Sequence, residues 1–337
     1  MPITRSYSNA FEVQDLTPVL QLIPNEYGLI NQLGLFQEQG ITTHTLTFES
    51  TNQTIGLIPD QMRGTRNTVN SDNTRKIFAI PTVHHPLDDY VAPQDLIGKR
   101  AYGTDLQETE AAVMQRKLEK IRKQHAFTIE RARAQMITQG TVYSPNNTVS
   151  VDIYSLLGVS RKSVDCLLGT STTEIQEKLE EAVAWSMDNL NNGGMVEEVI
   201  VLASPEWFAK FVRHAKISQA FTYYNSTQEP LRNRLGGMAR YRQFVYNNIT
   251  FIEYRSDPSN PLIPTGKAYL LPRGVDNFLT SYYSPANKMS LVGTVGESAY
   301  AFTYRDPKDE GIVIQTEHNA VHVMNRPAAC VELTSSN

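Results

Sequence analysis

The stretch from residue 106 to residue 139, LQETEAAVMQRKLEKIRKQHAFTIERARAQMITQ, decides the fold. Met114, Leu118, Ile121, His125, Ile129, Ala132 and Met136 recur every three or four positions. That spacing draws one stripe down a helix of 3.6 residues per turn. Thr104 and Asp105 offer N-caps, and Glu108 and Glu110 place negative charge where the helix dipole favours it. Arg131 and Arg133 place positive charge near the other end, and Gly140 supplies the stop. At 1.5 Å per residue, roughly 34 residues make a rod of about 50 Å. A rod with one narrow apolar stripe reads as a spine, exposed on its other faces, along which other elements lie.

Outward from the spine, residues 1–42 carry short apolar clusters without a long period and read as an extended arm. His44-Thr45-Leu46-Thr47-Phe48-Glu49 alternates as a half-exposed strand does, with a second strand expected over 54–58. Polar residues fill 60–74 before the strand Lys76-Ile77-Phe78-Ala79-Ile80-Pro81-Thr82-Val83. Two strands joined by so long a polar connection make a hairpin that needs a function of its own. Residues 86–98, PLDDYVAPQDLIG, read as a linker into the spine. Beyond Gly140, a helix is expected over 172–190 with Ser171 and Glu174 as a capping box and Gly193-Gly194 as its end. A buried strand at Val199-Ile200-Val201-Leu202 precedes a helix opened by Ser204-Pro205-Glu206. Asn247-Asn248 is the turn of a hairpin, and Lys267-Ala268-Tyr269-Leu270-Leu271 is a strand stopped by Pro272. Three short strand-like runs, 312–316, 320–324 and 329–333, close the chain and are expected beside the spine.

The totals exclude several function classes. The chain has 337 residues, 40% hydrophobic and 20% charged, so it is long enough for about two domains with a substantial core. A formal charge of −4 is no footprint for tight nucleic-acid binding. Cys166 and Cys330 stand in no metal-type spacing and read as buried free thiols. The first residues lack the apolar run of a signal peptide, and no stretch reaches a membrane span, so a soluble protein made inside a cell is expected. Pro264-Thr265-Gly266-Lys267 is only half a phosphate loop, and no nucleophile elbow or H-E-x-x-H occurs. His84 and His85 are adjacent on a strand and point to opposite faces; His318 and His322 do not converge; His125 reads as packed within the stripe. The sequence therefore assigns no catalytic residue, cofactor or metal. Arg232, Arg234, Arg240 and Arg242, with Tyr241 and Tyr246 nearby, form the best anion-facing stretch, read first as a loop pairing with carboxylates of neighbouring subunits.

The order of arm, polar-tipped hairpin, spine, α/β lobe and returning β segment resembles the major capsid proteins of tailed bacteriophages, in the lambda-head-like phage capsid family E. The resemblance is carried by Ile80-Pro81 and Pro93-Gln94-Asp95-Leu96-Ile97-Gly98 leading into the helix, and by Leu235-Gly236-Gly237 with Tyr241. Ile249-Thr250-Phe251-Ile252-Glu253-Tyr254, Ala268-Tyr269-Leu270-Leu271-Pro272-Arg273-Gly274, Tyr304-Arg305-Asp306-Pro307-Lys308 and Asn325-Arg326-Pro327 complete it. It implies an α+β Hong Kong 97-type fold: N-arm 1–42, E-loop 43–85, P-domain 86–164 with the spine at about 106–139, A-domain 165–304, and C-terminal strands 305–337 returning to the P-domain. It implies self-assembly into hexamers and pentamers of an icosahedral head enclosing double-stranded DNA without sequence-specific binding and without a membrane. The site would be intersubunit: Arg63, Arg66, Arg75 and Lys76 around the E-loop tip, and the arginine loop as a capsomer interface. Portal, scaffold and decoration or cement proteins are the implied partners, with assembly in the host bacterial cytoplasm and residence in the virion. An encapsulin-like compartment shell and a soluble α/β enzyme are the alternatives.

Overall fold

The computed structural model describes residues 14–15, 28–51, 75–97, 109–190, 196–218, 221, 241–256 and 260–337. In chain order these form β1 (Gln14–Asp15), α1 (Leu29–Leu33), β2 (Gln37–Gly40), β3 (Thr45–Thr51), β4 (Arg75–Pro81), β5 (Val83–Val91) and the spine α2 (Glu110–Gln139). There follow α3 (Ile153–Leu157), β6 (Lys162–Asp165), α4 (Ile175–Asp188), β7 (Glu198–Ala203), α5 (Pro205–Arg213), β8 (Gln243–Tyr246), β9 (Ile249–Glu253) and β10 (Lys267–Arg273). The chain ends in β11 (Leu279–Tyr283), β12 (Tyr300–Arg305), β13 (Ile312–Met324) and β14 (Val331–Thr334).

Within the described residues the spine opens at Thr109, whose hydroxyl accepts from the Ala112 N–H at 3.3 Å; Thr104 and Asp105, the expected caps, lie outside the described residues. It stops at Gly140, whose φ of 73° belongs to the left-handed region. A Cβ there would stand 2.4 Å from the Tyr154 ring, so only glycine fits. The expected exposure does not hold. From Ile121 onward a second line, Ala126, Glu130, Arg133 and Ile137, is buried beside the first. The buried face widens because the C-terminal half is enclosed by two sheets, whereas the N-terminal half covers only one.

The first sheet runs β1-β12-β13-β11-β2, with β5 also on β13. Residues 312–324, expected as two runs, form one thirteen-residue strand. Ala320 meets both Tyr283 and Val83, so β11 and β5 take opposite flanks of β13, while β12 follows β11 along the same flank. Val113, Leu118 and Ile121 of the spine pack with Val91, Ala301 and Ile314 on this sheet.

Residues 86–91, read as the start of a linker, belong instead to β5, which pairs with β13 over nine residues. The signs that suggested a linker belong to an edge strand. Pro86 has no N–H to offer on the outer flank. The Tyr90 N–H turns to Asp89 Oδ1 at 2.7 Å, the Ala92 N–H to Asp95 Oδ2 at 3.4 Å, and the Thr82 N–H to His44 O at 2.9 Å. Lys117 of the spine donates to the Tyr90 carbonyl and pairs with Asp89 and Asp95 at 3.1 and 3.3 Å.

The second sheet runs β6-β14-β10-β7-β9-β8. Val199, Val201, Ala203, Ala268 and Leu270 pack under α4 and α5 with Trp207, Phe208 and Phe211. Ile200, Leu202, Tyr269 and Leu271 face the other way, toward Ala134, Met136 and Ile137 of the spine. Both faces are buried, which is why these strands read as unbroken apolar runs. Pro272 does not stop β10; it continues opposite Val199, where the β14 flank, paired only through Leu270, has ended. β14 itself joins this sheet between β10 and β6, and Cys330, just before it, directs its Sγ to the Ile137 carbonyl of the spine at 3.8 Å.

Local signals hold where they are complete. Asn247 and Asn248, at φ 51° and 58°, make the left-handed pair that a tight hairpin needs. Ser204 Oγ caps α5 by accepting from the Trp207 N–H at 3.3 Å. Ser204→Ala is expected to cost about 1–2 kcal/mol, read as a lower urea midpoint at unchanged m-value. The capping box foreseen for α4 is absent: the helix starts at Ile175, and Glu174 pairs with Lys216 at 2.9 Å instead.

Candidate functional site: the spine and its clamps

Three polar clamps fix the buried half of the spine. Glu130, 1% exposed, accepts from the Ile30 N–H at 2.8 Å, the Asn31 N–H at 2.9 Å and the Tyr254 hydroxyl at 2.6 Å. One carboxylate thus caps the N-terminus of α1 and ties it, through the spine, to the end of β9. Gly28 must be glycine for this: its φ is +89°, and a Cβ would stand 2.3 Å from the Glu130 carboxyl. Burial pushes the Glu130 pKa up, against the pull of its three donors and of Arg133.

Arg133, one turn on, donates to Asn31 Oδ1 at 2.7 Å, Glu38 Oε1 at 2.8 Å, Ser281 Oγ at 3.1 Å and the Tyr283 hydroxyl at 3.2 Å. Its guanidinium also stands 5.2 Å from the Phe36 ring centroid. It therefore joins α1, β2 and β11, and is not a charge placed for the helix dipole. Arg161 makes the third clamp. It donates to the Thr138 carbonyl, to Ile137 O at 2.8 Å and to the Tyr154 hydroxyl at 2.8 Å, lies over the Tyr154 and Tyr269 rings, and faces Glu332 at 3.7 Å. The last carbonyls of the spine are satisfied by a side chain anchored on the second sheet.

A histidine cluster lies between spine and first sheet. His125 Nδ1 and His318 Nδ1 are 2.8 Å apart, and His125 Nε2 is 2.9 Å from Thr316 Oγ1. Thr316 gives its one hydroxyl proton to Leu87 O at 2.6 Å, so it accepts from His125 Nε2–H. His125 Nδ1 is then the acceptor and His318 Nδ1–H the donor. His85 stacks on His318 with centroids 4.6 Å apart, and His322 Nδ1 is 2.8 Å from Ser281 Oγ. Burial first, then neighbouring histidines, pushes His125 down to about 4 and His318 well below the ordinary imidazole value; burial and Arg133 do the same to His322. His84 points away as expected, to Asn319 Oδ1 at 2.6 Å and Glu317 at 3.3 Å. Among the described residues, no group of three or more His, Cys, Asp or Glu is placed to hold a metal ion.

The residues singled out from the sequence fare unevenly. Arg63 and Arg66, and the strand expected over 54–58, lie outside the described residues, as do Arg232, Arg234 and Arg240. Arg75 and Lys76 open β4, opposite Thr51 and Ser50, and Lys76 is exposed. Arg242 is already paired within its own chain: it bonds the fully buried Glu253, which Arg255 also holds at 2.9 Å, and lies over Phe208. Burial alone would raise the Glu253 pKa; the two guanidiniums take it below the ordinary value. The signal was available, since an Asn247-Asn248 turn that sets Gln243 opposite Ile252 brings Arg242 to Glu253. Glu130, Arg133 and Arg161 were not found, because their partners are remote in sequence. Cys166 and Cys330 are buried and unbridged, with the Cys166 thiol pushed up to about 12 by burial. No described helix is long and apolar enough to cross a membrane.

A helical rod whose C-terminal half is clamped between two sheets, with a separate hairpin and the second sheet carrying its own helices, is an architecture that known structures share. The capsid of Myoviridae phage XM1 superposes with a TM-score of 0.54 at 10% identity, covering 94% of this chain and 95% of that one. The capsid of cyanophage P-SCSP1u does so with a TM-score of 0.53 at 13% identity, covering 94% and 90%. The fold is thus the Hong Kong 97-type capsid fold. The chain belongs to the family Phage major capsid protein E, which matches residues 12–335. The major capsid protein of Pseudomonas phage KPP10 is 40% identical over 344 residues, 97% of each chain. The protein is accordingly a structural component of a phage capsid shell and not an enzyme, which sets the α/β-enzyme alternative aside.

Proposed function

We propose that this chain assembles with copies of itself into hexamers and pentamers that close as an icosahedral head around double-stranded DNA. In this reading 1–42 is the arm and 43–85 the E-loop; 86–164 is the P-domain, 165–304 the A-domain, and 305–337 the returning segment, which supplies a strand to each sheet. The observation that carries it is the hairpin. Among the described residues, β3 and β4 pair only with each other. A two-stranded sheet alone is marginal in water. Leu46 opposite Ile80 anchors its root in the core, yet Ile77, opposite Glu49, stays 65% exposed. Such a projection gains its remaining partners from a neighbouring subunit, where Arg63, Arg66, Arg75 and Lys76 supply charge pairs. Many modest contacts then sum through closed symmetry. Portal, scaffold and decoration proteins complete the particle in the host cytoplasm.

The test is electron microscopy of the purified protein beside a variant in which residues 52–74 are replaced by a short Gly-Ser turn. The full chain should give closed particles or capsomers. The variant should keep the same circular dichroism and thermal midpoint while forming no closed shell. Normal shells from the shortened chain would remove the hairpin from assembly.

A further inference from the structure

We propose that His318, with His85 stacked on its face and His125 meeting it edge-on, forms with them a proton-operated latch, holding the spine against β13 at neutral pH and releasing it in acid. The latch is a property of the folded subunit and does not depend on the assembly scheme above.

The geometry shows why. In the neutral network each proton of the His125–His318–Thr316 chain has one place. A first added proton, on His125 Nδ1, is tolerated if His318 shifts its own proton to Nε2, leaving one N–H between the rings. A second cannot be placed, because two imidazolium rings would then meet at the 2.8 Å separation. His85 makes this worse, stacked on His318 with both ring nitrogens buried.

Among the described residues, the surroundings offer no compensating charge. The spine contributes Arg122 and Arg133, both cationic, lining the same groove as His125. β5 contributes His85, and β13 contributes His318 and His322. The segment after the spine contributes Tyr143, stacked on His85 at 6.1 Å. Glu38 of β2 is engaged by Arg133, and Glu317 lies on the far face with His84.

The sign follows from proton counting. A histidine released to water binds its proton near pH 6.5, whereas His125 in the closed latch does so only near 4, and burial holds His318 well below the ordinary imidazole value as well. Opening therefore takes up protons. The latch is at full strength above about pH 6.5 and weakens as pH falls toward 4. Each histidine held neutral shifts the opening equilibrium about tenfold per pH unit in that window, so two or three acting together shift it by about a hundredfold to a thousandfold.

Hydrogen exchange of the purified full chain at pH 7.5 and 5.0, corrected for intrinsic rates, tests this. Spine amides over 118–130 should lose at least a hundredfold of protection relative to α5, which packs on the other sheet. H84Q, altered on the far face, should keep that response, and the H125Q/H318N double variant should flatten it. Equal spine protection at both pH values, or a folded double variant that still responds, would overturn the latch. If the double variant does not fold, the urea midpoint of the unaltered chain between pH 7 and 5 decides: a pH-independent midpoint sinks the proposal, and a steep acid-side fall with an uptake of two or more protons sustains it.

Discussion

Glu130→Leu is expected to lower the unfolding free energy by about 3–5 kcal/mol, the largest loss from any single side chain of the spine. Leucine nearly preserves the volume but leaves the Ile30 and Asn31 N–H groups and the Tyr254 hydroxyl without their acceptor. Each buried donor left unmet costs about 1–3 kcal/mol. Relief from burying a carboxylate offsets only part of this, as the three bonds are its solvation shell. Glu130→Gln keeps an acceptor oxygen and should lose about 1–2 kcal/mol. Urea melts of the three proteins measure both values; a leucine variant within 1 kcal/mol of the parent would show that α1 does not depend on this cap. G28A should resemble Glu130→Leu, because its Cβ invades the same carboxyl.

Arg161→Met should cost about 3–4 kcal/mol, in the range seen when one partner of a buried charge network is removed. The change strands the Ile137 and Thr138 carbonyls and removes a cation from two aromatic faces. Glu332 keeps Lys267 at 2.9 Å, which limits the loss. Arg161→Lys should recover less than half of the deficit, because one ammonium cannot reproduce a planar fork directed at a tyrosine and two carbonyls. Exchange should localise the damage to the last turn of the spine and to β14. Full recovery by lysine would mean that charge alone matters there.

What the sequence disclosed and concealed follows from how far its signals reach. The Gly140 stop, the Ser204 cap and the Asn247-Asn248 turn were legible because each is decided within a few residues. β5 was misread because Pro86 and Asp89 signal a break, when in fact they finish an edge. Burial of the spine's second half was hidden by Glu130 and Arg133: charged residues on the line of Ala126 and Ile137 look like a solvent face until their partners, about a hundred residues away, are known. β14 could not be assigned to the second sheet from sequence, since its pairing with β6 joins residues 331 and 162.

The finished outer flank of β5 bears on how copies of this chain can go wrong. A shell protein accumulates to high local concentration before closure, and any exposed ladder competes with the symmetric contact by adding strands without limit. Such open-ended growth yields fibres, not closed particles. With Pro86 silent, the Tyr90 and Ala92 amides taken up by the Asp89 and Asp95 carboxylates and Lys117 over the Tyr90 carbonyl, this flank offers a newcomer little continuous ladder. Copies meeting there separate again, and the chain stays available for the geometry that closes.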